Sequence, residues 1–288
     1  MTGSSVREAL DASVDALRAA GVDEPRLDAE LLLGEAMGCE RAALVADGGA
    51  EVPASAARSF GEMVRRRLRR EPVAYILGRK GFRNLEVAVD SRVLIPRPET
   101  ELLVELALEL QPARVLDVGT GSGAIALAVA DELPECEVVA TDTSRGALDV
   151  ALANAERRAL ADRVRFVLGT TPAIDDGDFD LVLANLPYIA ERDWASLQPE
   201  VTQWEPREAL LAGPDGLDAY RALIPESAGL FHRYAGQRAG ALAVEVGEGQ
   251  AEAVVGLMRD CGFGEVEIRR DLAGIERVVV AQWVGERA

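Results

Sequence analysis

The 288-residue sequence predicts an α/β protein: a small N-terminal helical domain, a β-hairpin linker, and a larger, Rossmann-like domain built on a parallel sheet. Three observations lead there. The first seventy residues carry apolar side chains at helical spacings of three and four. From Tyr75 the period shortens to that of strands. After the linker, short and nearly continuous apolar runs alternate with longer amphipathic ones, as expected of strands covered by helices on both faces. The domains are drawn at residues 1–72, 73–95 and 96–288.

In the first domain Val6, Leu10, Val14 and Leu17 form one helical stripe that Gly21 ends. "EPRLDAELLLGEAM" makes a second helix, with Pro25 in its first turn and Gly38 after it. "ASAARSFGEMVRRRLRR" makes another, stopped by Glu71 and Pro72, and its basic run Arg65 to Arg70 reads as a solvated helix end. "YILGRKGFRNLEVAVDSRVLIP" alternates about a Gly and Asn turn and reads as the hairpin. The helix "RPETELLVELALEL" leads to strands at "RVLDVG", "EVVATD", "VRFVLG", "FDLVLAN" and "ALAVEVG", with helices between most of them. Two strand-like runs, "GEVEIRRDL" and "RVVVAQWV", close the chain around Ala273 and Gly274, so the final strand is expected to be antiparallel.

Composition excludes several classes of function. A formal net charge of −18 opposes general adhesion to nucleic acid, which depends on Lys and Arg displacing phosphate counterions, and no direct nucleic-acid binding is expected. No apolar run approaches the roughly 18 residues of a membrane span, and the N-terminus lacks a signal-peptide layout, so no membrane association and a cytoplasmic location are expected. Cys39, Cys136 and Cys261 are scattered and odd in number, which suggests reduced thiols. With His232 the single histidine and no clustered cysteine, no metal is expected.

"LDVGTGSGA", Leu116 to Ala124, joins the first strand of the large sheet to a helix. Gly119, Gly121 and Gly123 allow a sharp turn and close approach of backbone to a ligand. The loop also satisfies the dinucleotide pattern G-x-G-x-x-A, with Asp142 where that fold places its ribose-binding acid. Asp117 separates the two possibilities. A carboxylate two residues before Gly119 would repel a pyrophosphate and attract a ligand bearing positive charge, and S-adenosylmethionine has an ammonium and a sulfonium. Asp142 can then accept both ribose hydroxyls, a task compatible with capping the helix that begins near Ser144.

"ANLPYI", residues 184 to 189, interrupts a buried strand with an amide and a proline. It closes the fourth strand beside the first, at the carboxyl edge where doubly wound sheets bind ligands. The Asn185 side-chain oxygen and the Leu186 carbonyl can together accept two hydrogens from one planar NH2 group, an amide or an aromatic exocyclic amine. Pro187 keeps Leu186 extended and helps aim its carbonyl, and Tyr188 can cover the face of the planar group.

These blocks together resemble the PrmC/HemK family of release factor glutamine N5-methyltransferases over essentially the whole chain. "VLIPRPETELLV", Val93 to Val104, is the most specific, supported by "EPVAYILGRKGF", "DVGTGSG", "EPREALLAGPDGLDAYRALI" and "DLAGIERVVVAQW". The resemblance implies a helical domain that docks the substrate, a hairpin linker and a Rossmann-like class I methyltransferase domain. It implies transfer of a methyl group from S-adenosylmethionine to the glutamine of the Gly-Gly-Gln motif in class I peptide chain release factors, hence a role in translation termination. Gly119, Thr120, Gly121, Ser122, Gly123, Asp142, Thr170 and Asn185 are implied to touch the donor, and Asn185, Leu186, Pro187 and Tyr188 to hold the substrate amide. Leu186 stands where the family usually has proline, and Gly81 where an acidic residue is expected.

Overall fold

The computed structural model describes residues 4–170, 179–233 and 240–284. Contacts divide the chain into two units, one of Met1–Arg79 with Gln198–Trp204, the other of Lys80–Leu197 with Glu205–Ala288.

The first unit is helical. It contains α1 (Val6–Ala19), α2 (Pro25–Met37), α3 (Arg41–Ala46), α4 (Ala54–Leu68) and α5 (Val73–Leu77). Ser5 caps α1 reciprocally: its hydroxyl accepts from the Glu8 N–H while the Glu8 carboxylate accepts from the Ser5 N–H. The α1 stripe Val6, Leu10 and Leu17 packs with Leu32, Leu33 and Phe60 into this unit's own core. Pro25 opens α2 and Gly38 closes it in a left-handed conformation, φ 64°. The segment expected as the linker, 73–95, opens with α5 and holds its hairpin in β1 (Arg79–Phe82) and β2 (Leu85–Ala88), which form a sheet of their own. A Cβ at Gly81, on β1, would meet open space among the described residues.

The second unit is a seven-stranded sheet in the order β5-β4-β3-β6-β7-β9-β8. Its strands are β3 (Arg114–Val118), β4 (Glu137–Asp142), β5 (Val164–Leu168), β6 (Leu181–Ala184), β7 (Ala241–Glu245), β8 (Phe263–Arg270) and β9 (Glu276–Trp283). Strands β3 to β7 are parallel, and β9 runs antiparallel to both β7 and β8, as the final apolar runs predict. The helices are α6 (Glu101–Leu110), α7 (Ala124–Glu132), α8 (Arg145–Arg157), α9 (Pro199–Trp204), α10 (Asp218–Arg233) and α11 (Ala251–Asp260), of which α9 belongs by its contacts to the helical unit. All residues of β6 and β7 are buried, which accounts for their unbroken apolar runs. From β3 the chain proceeds outward through β4 and β5 and returns to β6 on the other side of β3. The switch point, where such sheets bind ligands, therefore lies at the carboxyl ends of β3 and β6. Among the described residues no helix is long and apolar enough to cross a membrane. Cys39, Cys136 and Cys261 are free thiols.

The basic run that closes α4 is only in part the solvated helix end that its charge suggests: Arg65 and Arg69 are exposed, but the arginines between and after them are engaged. Arg67 is only 6% exposed and pairs with Asp28 and with Glu200 of α9, each at 2.7 Å. Arg70 holds the other Glu200 oxygen at 2.6 Å and donates to the Gly21 carbonyl at 2.8 Å, and Arg66 grips Glu71 at 2.5 Å. Burial opposes ionisation of Glu200, but Arg70 and Arg67 outweigh it and hold the carboxyl below its usual range. Helical periodicity registers the charges. It cannot register a partner that arrives from residue 200.

Candidate active site at the carboxyl edge of the sheet

The loop after β3 turns sharply because Gly119, Gly121 and Gly123 all have positive φ, at 74°, 56° and 82°. The Gly119 and Thr120 N–H groups both donate to the Thr141 carbonyl at 2.9 Å, tying the loop to the end of β4. A Cβ at Gly119 would stand 2.9 Å from Leu186 Cδ2, so absence of a side chain here is what lets Leu186 close over the loop. Gly123 caps α7, and a Cβ there would press on Ala151 and Leu127 at 3.2 Å. Its role is close helix packing, and it does not line the cavity.

That cavity, of about 200 Å³, is lined by Gly119, Thr120, Gly121 and Ser122, by Asp142 and Thr170, and by Asn185, Leu186 and Pro187. The chain thus brings nine of the residues singled out from the sequence to one place. Asp142 is aimed by backbone: Oδ2 accepts from the Gly121 N–H at 2.9 Å and Oδ1 from the Ser144 N–H at 2.8 Å, and lone pairs remain on both oxygens. The cap of α8 is Ser144, whose hydroxyl accepts from the Ala147 N–H at 3.2 Å, so Asp142 is released from that duty. Thr170 is fixed through its carbonyl, which accepts from Thr141 Oγ1 at 2.8 Å.

Asp117 does not line the cavity. It is fully buried one side chain back, with Oδ2 accepting from Thr120 Oγ1 at 2.6 Å and from the Ala126 N–H at 3.2 Å. Its Oδ1 has no hydrogen-bond partner among the described residues. Burial pushes the carboxyl up to about 7, against the pull of the Thr120 and Ala126 hydrogen bonds.

Asn185 follows β6 directly. Its Nδ2 donates to Thr100 Oγ1 at 2.9 Å, and the Thr100 hydroxyl donates to Glu245 Oε2 at 2.6 Å. The Asn185 Oδ1 is buried without a partner among the described residues. Tyr188, expected over the substrate, does not line the cavity: it packs against the sheet core while its carbonyl accepts from Gln250 Nε2 at 2.9 Å, and burial pushes its phenol up to about 12.

Sequence reasoning assigned no role to Thr100 or Glu245, although Thr100 lies inside the block that carries the family resemblance. Nor did it place Arg92, Leu94, Pro96, Pro206 and Glu208 in the cavity wall. The signal for most of them was the density of family-like pattern in "VLIPRPETELLV" and "EPREALL". Glu205 joins these two blocks, accepting from the Ile95 N–H at 3.2 Å and from the Arg97 guanidinium.

A parallel sheet with a glycine loop after its first strand, an acid closing the second and a cavity at the switch point is the frame that dinucleotide-binding and class I methyltransferase domains share. Comparison with known proteins makes it the latter: residues 115–204 match the methyltransferase domain family and residues 8–78 the PrmC N-terminal domain family. The chain is 41% identical over 276 residues to the release factor glutamine methyltransferase of Rhodospirillum rubrum, covering 95% of this chain and 83% of that protein. It is 42% identical to the release factor glutamine methyltransferase of Moorella thermoacetica, covering 96% and 98%. The chain belongs to the release factor glutamine methyltransferase family. Its fold also superposes on the hMettl16 catalytic domain with a TM-score of 0.58 at 16% identity, covering 75% of this chain and 81% of that one, a likeness of fold alone.

Proposed function

We propose that this protein transfers a methyl group from S-adenosylmethionine to the side-chain amide nitrogen, N5, of the glutamine in the Gly-Gly-Gln motif of class I peptide chain release factors. The observation that carries the reading is the Asn185 amide: the residue lines the cavity, its nitrogen is committed to Thr100, and its oxygen is buried without a partner among the described residues. An orphaned buried acceptor is costly unless a ligand supplies the donor. An NH2 group supplies it, and the Leu186 carbonyl alongside can take the second hydrogen.

The residues present fit the donor. Asp142, anchored by two N–H groups, retains acceptor capacity for ribose hydroxyls, and the glycine loop from Gly119 to Gly123 leaves room beside it. The orphaned Asp117 Oδ1 puts latent negative charge under the loop, suited to the donor's ammonium and opposed to a pyrophosphate. Thr170 lines the same wall. When bound, the donor supplies an electrophilic methyl group on a sulfonium.

An amide nitrogen is a weak nucleophile because its lone pair is delocalised into the carbonyl. Asn185 and Leu186 act on it by orientation, holding the nitrogen in line for displacement. Positioning of this kind is worth roughly 7–11 kcal/mol in favourable intramolecular systems, so no strong base is required. The proton leaves afterwards, to a carbonyl or to water. The helical unit serves as the docking element for the release factor, a role that rests on the match to the PrmC N-terminal domain.

Asn185→Ala tests the reading. Removing one preorganised polar contact from a transition state costs on the order of 10²–10³ in turnover, and that loss is expected for methylation of release factor at saturating donor, with melting temperature unchanged and donor affinity measured alongside to separate lost chemistry from lost binding. A stably folded variant working at the wild-type rate would overturn the assignment.

A further inference from the structure

The Asn185 amide has two ends of nearly the same shape and opposite hydrogen-bonding character. Which end meets the substrate decides whether the site accepts an NH2 group or repels it, and rotation about the terminal torsion exchanges the two. We propose that Thr100 and Glu245 are positioning residues that hold the Asn185 amide with its oxygen toward the substrate, a role that rests on the amide-methylating activity argued above.

Glu245 ends β7 and is 2% exposed. An ionised carboxylate only accepts, so the Thr100 hydroxyl gives it its single hydrogen, at 2.6 Å. Thr100 Oγ1 then presents lone pairs alone on its other side, and the atom facing it at 2.9 Å must be a donor, Asn185 Nδ2. The reversed amide would set Oδ1 against those lone pairs and turn an NH2 toward the substrate's NH2. Three residues separated by 85 and 145 positions in sequence thus form a directional chain whose free end is the orphaned Asn185 Oδ1. Glu245 is itself held at its backbone, where its carbonyl accepts from the Tyr220 hydroxyl at 2.7 Å.

The direction of the chain depends on the charge of Glu245. Burial pushes its carboxyl up to about 7; Thr100 favours the ionised form, Glu99 opposes it, and Arg277 and Arg97 favour it again. Tyr188 and Tyr220, the other titratable groups beside it, are both pushed upward by burial and stay neutral at ordinary pH. A protonated Glu245 can donate to Thr100, whose hydrogen is then free to turn toward Asn185, and the amide loses its preferred sense. The ionised form is the active one, so turnover should fall as pH drops through about 7.

Thr100→Val, Thr100→Ser and Glu245→Gln provide the test on the full-length protein. Two readouts are compared: methylation of release factor at saturating donor, and calorimetric binding of a Gly-Gly-Gln peptide to enzyme loaded with the demethylated donor, which needs no turnover. Saturating donor removes the influence of Asp117, which acts on donor binding. Thr100→Val should lower turnover and weaken peptide binding, each roughly tenfold, the worth of about one buried hydrogen bond, with affinity for the demethylated donor preserved. Thr100→Ser, which restores the hydroxyl, should recover most of both. Glu245→Gln should abolish the acid limb of the turnover profile. Wild-type behaviour of Thr100→Val, equal damage in Thr100→Ser, or an acid limb that survives in Glu245→Gln overturns the inference. If Thr100→Val does not fold, the serine variant and the pH profile decide it. A wild-type protein that methylates no Gly-Gly-Gln glutamine overturns the proposed activity itself, a separate result.

Discussion

Buried polar groups are treated differently in the two units. In the helical unit, Arg67 is enclosed between Asp28 and Glu200, and Glu200 is further held by Arg70. At the carboxyl edge of the sheet, Asp117 is fully buried and Asn185 half-buried, yet each keeps one buried oxygen without a partner among the described residues. The first arrangement is complete without a ligand. The second is complete only with one, since an unpaired buried acceptor has lost its water and gained nothing in exchange. Arg114 Nε also makes no hydrogen bond but keeps an ion pair with Glu137 at 3.3 Å, and Ser227 Oγ in α10 is buried without a partner among the described residues, which nothing in the structure explains. An orphaned atom thus marks a site where its residue lines a cavity, as Asn185 does, or lies behind the loop that lines it, as Asp117 does.

Breaking the helical network should cost stability and spare chemistry. Arg67→Ala leaves Asp28 and Glu200 buried with their shared partner gone, and removing one member of a buried ion pair destabilises by about 3–5 kcal/mol. Denaturant unfolding should register a loss of that size, with donor affinity unchanged. Unaltered stability would remove the distinction between the two regions.

At the sheet edge, removing the charge of Asp117 has a smaller effect, and one on donor binding. Its ordinary carboxyl range lies well below the value of about 7 to which burial pushes it, so at neutral pH a large fraction carries a proton. A bound cation favours the ionised form. Affinity for S-adenosylmethionine should therefore climb as pH rises through about 7 and level off above it. Asp117→Asn should weaken binding roughly tenfold at pH 8, the equivalent of about one pKa unit of lost interaction, and its affinity should no longer depend on pH in that window. Calorimetry across the pH range reads both; a slope that persists in the variant would assign the titration to another group.

The architecture is largely legible in the sequence because strand and helix periods are local. The glycine loop and Asp142 are legible for the same reason, since a tight turn between strand and helix needs residues that adopt positive φ, and the acid falls at a strand end. Asn185 announces itself as an amide in an apolar run. What local pattern cannot supply is company. Thr100 looks like one residue of a helix start, and Glu245 like an acid at the end of a strand; only the pairing of β6 with β7 and the packing of α6 bring them to Asn185. Asp117 shows the same limit: its position in sequence is informative, but its turn away from the cavity toward Thr120 and α7 is decided by two hydrogen bonds across the loop. Leu186 gains an explanation in the fold, where its side chain closes over Gly119. Gly81 gains none.

The most direct test of the account is the location of the methyl group. Class I release factor is incubated with this protein and S-adenosylmethionine, digested with trypsin, and sequenced by mass spectrometry, beside a parallel incubation with nucleic acid. One added methyl is expected on the side-chain amide of the Gly-Gly-Gln glutamine, and none on adenine or cytosine amino groups. A methylated base, or a methyl group on the release factor at any residue other than that glutamine, would contradict it.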